Sequence, residues 1–82
     1  MTKFVYVTPN QDHAITEATS FEFEKVFGVP AGYNVCCWEC EGKVGEWVIT
    51  RWFETTEEAL KSLKDNRIID ESEYSKAKET IK

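Results

Sequence analysis

Basic residues, histidine and long apolar runs are what this chain has least of. Ten Lys and Arg stand against fifteen Asp and Glu, for a net charge of −5. A nucleic-acid backbone is held by clustered Lys and Arg, so direct nucleic-acid binding is not expected. No apolar run nears the ~20 residues that span a bilayer. Lys3 is followed by only four strand-like residues before Thr8-Pro9, which is no signal peptide. A cytoplasmic protein with no membrane role is the expectation. His13 is the only histidine and stands beside Asp12. General-base work also needs a placed nucleophile. The four serines (Ser20, Ser62, Ser72, Ser75) fall at helix starts or on helix surfaces. The four glycines fit caps and turns and form no phosphate-binding loop. A chain of 82 residues has room for one domain, residues 1–82, and little room for a cavity of ~300 Å³ or more. The expectation is a protein that is not an enzyme and carries no cofactor or metal.

Aromatics are what the chain has in plenty. Ten of its eleven lie between Phe4 and Phe53, and Val outnumbers Leu seven to two. These residue types suit a pleated, half-buried surface. The reading is an α+β fold: a small antiparallel sheet of three or four strands with helices packed on one face. Lys3 to Thr8 reads as a strand ended by Pro9. His13 to Ala18 fits a short strand or a loop. Thr19-x-x-Glu22 has the form of a capping box and Gly28 sits where a helix ends, which places a short helix near 20–27. Residues 33–41 and 46–53 read as a β-hairpin around Gly42-Lys43-Val44-Gly45. Alternation puts Asn34, Cys36, Trp38, Cys40, Trp47, Ile49, Arg51 and Phe53 on one face. That face is the more apolar and is expected to meet the helices. The other carries Tyr33, Val35, Cys37, Glu39, Glu46, Val48, Thr50 and Trp52.

Thr55 to Glu58 and Asp70 to Glu73 are two further capping boxes, and they open helices over about 56–65 and 71–81. Ala59, Leu60 and Leu63 form the inner stripe of the first. Ile69 and Tyr74 are spaced as a hydrophobic staple on the second. The stretch Leu60 to Ile81, with Leu63-Lys64 and Ile68-Ile69-Asp70-Glu71-x-Glu73-Tyr74, resembles the helical hairpins of short C-terminal domains of the SHOCT type. It covers a quarter of the chain, and Arg67 stands where a glycine is usual. The resemblance implies a helical pair and no function.

Cys36, Cys37 and Cys40 have the look of a metal or thiol site, with His13 as a further ligand. In an extended strand Cys37 and Cys40 point to opposite faces, and Cys36 and Cys40 lie ~13 Å apart. Neither a tetrahedral zinc site nor a disulfide is then expected. A metal or thiol site at these three cysteines stands as the alternative. The middle of the chain supplies the preferred reading. From Asp12 to Glu58 there are ten acids and three bases. On the second hairpin face Tyr33, Val48 and Trp52 would stand near solvent beside Glu39 and Glu46, with Glu41 and Glu54 at the hairpin ends. Aromatic anchors ringed by charge suit an interface. The expected function is a small acidic protein-binding module, by class similar to phage- or plasmid-type inhibitors, that binds a basic surface of a partner protein, of the kind that itself binds nucleic acid. A self-associating subunit, forming a homodimer through the aromatic face, is a further alternative.

Overall fold

The structure, a computed structural model, describes residues 3–18 and 32–81. The helix expected near 20–27 lies outside the described residues. Four strands, β1 (Lys3–Val7), β2 (His13–Ala18), β3 (Gly32–Trp38) and β4 (Trp47–Phe53), precede two helices, α1 (Thr56–Asp65) and α2 (Glu71–Thr80). The strands form one antiparallel sheet in the order β1-β2-β3-β4. The α+β reading and the C-terminal helical pair are therefore correct, and His13 to Ala18 is a strand.

The turn between β1 and β2 is built on Thr8, which is buried. Its hydroxyl donates to Asn10 Oδ1 at 2.8 Å and accepts the His13 N–H at 3.1 Å. Both edge strands carry a bulge. The register of β1 on β2 shifts between Phe4 and Tyr6, and that of β3 on β4 shifts between Val35 and Cys36, leaving Thr50 without a partner residue. Thr50 repairs its own bulge, because its hydroxyl donates to the Val35 carbonyl at 3.0 Å. A bulge moves every later side chain to the opposite face. Beyond Thr50, Arg51 and Phe53 consequently share the face of Tyr33 and Val35, and Trp52 changes sides.

The helices also cover the face that alternation assigned to solvent. The core comprises Ile15 and Val35 from the central strands, Ala59, Leu60 and Leu63 from α1, Ile69, and Ala77 from α2. The physical reason lies in β2. Ile15 pairs with Val35, so the two central strands present their large aliphatic side chains on this face. On the opposite face the central strands carry small residues: Ala14, Thr16, Asn34 and Cys36, all buried. Bulky apolar groups there belong to the edge strands and to Trp38 at the end of β3. A helix gains most over the centre of a sheet, where each buried Leu or Ile contributes roughly 2 kcal/mol.

α1 lies on β2, β3 and β4 and α2 packs on α1. Thr55 caps α1, accepting the Glu58 N–H at 3.2 Å and donating to Glu58 Oε1 at 3.1 Å. Asp70 Oδ1 caps α2 by accepting the Glu73 N–H at 2.7 Å. Glu73 does not close a reciprocal box. Its Oε2 instead accepts the Tyr6 hydroxyl at 2.7 Å and ties α2 to β1. Between the helices Arg67 is left-handed at φ 61°. The Ile68 N–H reaches the Leu63 carbonyl at 2.9 Å and the Arg67 N–H the Lys64 carbonyl at 3.0 Å. This is a Schellman stop, in which the left-handed residue is usually glycine.

Candidate functional site

The seven residues read as a partner-binding set do not share one flank. Tyr33 is half-buried, pairs with Phe53 and packs against the helical core. Val48 is half-buried on that same side of the edge strand. Trp52 lies on the opposite face, over Gly32. A Cβ at Gly32 would stand 2.5 Å from Trp52 Nε1 and 2.5 Å from the Phe53 carbonyl oxygen. Glycine is thus what allows the indole to lie flat on the sheet. Glu54 is exposed just before the α1 cap, at the far end of the hairpin. Only Glu39, Glu41 and Glu46 come together, in the turn between β3 and β4. The pairing of Tyr33 with Trp52 on one open surface is corrected by the bulge at Thr50 and by the position of the helices.

The turn itself departs from the extended strand expected through residue 41. β3 stops at Trp38 because Glu39 is left-handed at φ 54°, and Glu41 follows at φ 54°. The reversal brings the Cα atoms of Cys37 and Cys40 to 5.7 Å, and the two cysteines form a disulfide. The expectation of no disulfide is corrected for that reason. Strand geometry does not apply once the chain turns within the four residues. Cys36 remains a free, buried thiol. It faces away from Cys37, and burial pushes its pKa up, partly offset by Thr16, whose hydroxyl stands 3.8 Å from the sulfur. The three cysteines do not gather. Among the described residues no three His, Cys, Asp or Glu side chains converge as a metal ion requires.

The face of the sheet opposite α1 and α2, which alternation does not single out as a binding surface, holds most of the exposed bulky apolar side chains among the described residues. Ile49 is 54% exposed, Phe4 45%, and Val7 and Trp38 39% each. Trp47 pairs with Trp38, their rings 5.2 Å apart and edge to face. Phe4 reaches Trp47 with ring centroids 5.7 Å apart, although the two rings come from opposite edge strands. The twist of the sheet brings these diagonal corners together over the small residues of β2 and β3. Among the described residues, small buried side chains in the middle and the rings that close over them make an aromatic saddle. At one end of it stand the exposed acids Glu39, Glu41 and Glu46, with Lys43 the one base in that turn. The Glu39 carboxylate is fixed in place by the Gly45 N–H at 3.0 Å. The signal for this surface was in the sequence, since Trp38, Trp47 and Ile49 alternate onto one face. Alternation within β3 and β4 alone gives this face to the helices, because it does not contain the contribution of Ile15 on β2.

Other features offer less chemistry. Among the described residues, His13 Nδ1 is buried without a hydrogen-bond partner. An open groove of about 400 Å³ between β4 and α1 carries Arg51 and Lys61 against Glu58 and Asp65, a balanced set with no preferred sign. Among the described residues no helix is long and apolar enough to cross a membrane. No family model matches the chain, and no curated protein and no solved structure matches it.

Proposed function

We propose that this protein is a binding module that docks the saddle of Phe4, Val7, Trp38, Trp47 and Ile49 onto a partner protein whose contact surface is apolar at its centre and basic at its rim. One observation carries the reading: four large apolar residues on the sheet face opposite α1 and α2 are each more than a third exposed. Apolar patches of that kind mark interaction sites, and Trp is the residue most enriched where binding energy concentrates. The acids of the turn favour a basic rim, because complementary charge speeds encounter and rejects like-charged surfaces. A second copy of this chain, at −5, is repelled at long range and is the poorer occupant. Tyr33, Val48 and Trp52 then support the sheet, and Glu39, Glu41 and Glu46 keep the steering role.

The test is retention of a host protein by the wild type compared with a variant carrying Trp38→Ala and Ile49→Ser. Both residues are exposed, so the fold is expected to persist, which circular dichroism checks. A partner held by the wild type and lost by the variant supports the proposal. Equal retention by both, or retention of nothing, overturns it.

A further inference from the structure

The disulfide between Cys37 and Cys40 closes a ring of four residues, and the two enclosed by it are Trp38 and Glu39. Trp38 belongs to the aromatic saddle and Glu39 to its acidic end. The ring therefore spans the junction of the two halves of the docking face. The conformation it holds is an uphill one. Glu39 and Glu41 are both left-handed at φ 54°, a region that residues with a Cβ seldom occupy. Three hydrogen bonds depend on that path. The Glu39 N–H reaches the Glu46 carbonyl at 3.0 Å, the Lys43 N–H reaches the Cys40 carbonyl at 3.1 Å, and the Gly45 N–H reaches the Glu39 carboxylate at 3.0 Å. None of the core residues on α1, β2 or α2 takes part.

We propose that the Cys37–Cys40 disulfide is a reducible clasp that sets the shape of the docking face, so that a dithiol reductant loosens Trp38 and the turn 39–46 while the sheet and helices stay folded. As regulation of that face it rests on the docking reading. The exchange chemistry is balanced by a dithiol alone. A reductant thiolate attacks the Cys40 sulfur, which is the less buried of the two, and Cys37 leaves as a thiolate. The second reductant sulfur then displaces Cys40, so the protein gains two thiols and the reductant closes its own disulfide. Cys36 stays outside the cycle because it is buried on the opposite face.

The experiment is amide exchange and thiol alkylation on the folded protein before and after dithiothreitol. Oxidised protein is expected to show one thiol, titratable only after unfolding. After reduction iodoacetamide should modify Cys37 and Cys40 and spare Cys36. Amide protection at Glu39, Lys43 and Gly45 should fall at least tenfold, with Ile15, Val35 and Leu63 unchanged. A variant with Cys37→Ala and Cys40→Ala should match the reduced protein without reductant. Three free thiols in the oxidised protein, or unchanged protection in the turn on reduction, overturns the proposal. These readouts use no partner. A clasp that opens in a protein that binds nothing defeats the docking reading and leaves the clasp standing.

Discussion

Tyr6 shows how a single residue does work that its sequence neighbours do not announce. Its ring packs against the helical core and its hydroxyl meets Glu73, 67 positions away. Burial first, then the hydrogen bond and the negative charge of Glu73, holds the phenol well above its ordinary range. The folded protein therefore keeps this proton when the unfolded chain has lost it. Stability from this group is complete below pH ~10, the unfolded value, and falls as the pH climbs above it. Tyr6→Phe is expected to cost about 1 kcal/mol at neutral pH, since the bond goes to a charged acceptor but is only part-buried. The variant should also lose less stability than the wild type between pH 9.5 and 11.5. Urea midpoints across that range check both, and parallel curves would exclude Tyr6 from alkaline unfolding. The disulfide is a contrast at this scale. Closing so short a loop restricts the unfolded chain by only about 2 kcal/mol, so its effect is on local shape more than on folding.

Elements are shaped here by their ends and irregularities. The bulges at Val5 and Thr50 fall on the two edge strands. Bulged edges resist pairing with another sheet, which agrees with the proposal that binding uses the face of the sheet. The α1 stop is the element with a correctable fault. Arg67 occupies the left-handed position of a complete Schellman motif, and a residue with a Cβ there costs ~1 kcal/mol or more. Arg67→Gly is expected to stabilise the protein by about 1 kcal/mol, or about 4–8 °C in Tm for a domain of this size. Thermal unfolding followed by circular dichroism checks this, and an unchanged or lowered Tm would show that the Arg67 side chain contributes more than its backbone costs. α2 has only Ala77 fully buried. It depends on Tyr74 within it, on Ile69 and Ile81 at its flanks and on the Tyr6 bond. Its exposed ion pair, Lys78 to Glu57 at 3.4 Å, adds little.

At the scale of the whole molecule the two faces of the sheet differ in what they carry. Among the described residues, α1 and α2 cover one side of the sheet, and the other carries rings at its rim and acids at one end. Acids on the turn act at a distance, so their removal should alter the rate of encounter more than the lifetime of a complex. Glu39→Lys with Glu46→Lys is expected to slow association with the proposed basic partner about tenfold or more at low salt and to flatten its salt dependence. Stopped-flow or surface-based kinetics at two ionic strengths would show it. Identical on-rates at low salt would leave the rings as the sole contributors.

The sequence by itself determined the local features, because local chemistry produces them. The two C-terminal helices follow from Thr55, Asp70 and their glutamates. The hairpin follows from Gly42 and Gly45 between two β-rich runs, and the acidity of its turn is written in the composition. Tertiary structure decided which face of the sheet is covered, which side Trp52 takes, and that Cys37 meets Cys40. Each of these turns on one displaced residue or one neighbouring strand. A bulge at Thr50 reverses all side chains after it, a left-handed Glu39 ends a strand that composition would extend, and Ile15 on β2 places the large aliphatics under α1. Period-2 alternation within one strand carries none of that information, since it gives two faces and leaves open which of them the rest of the chain will bury.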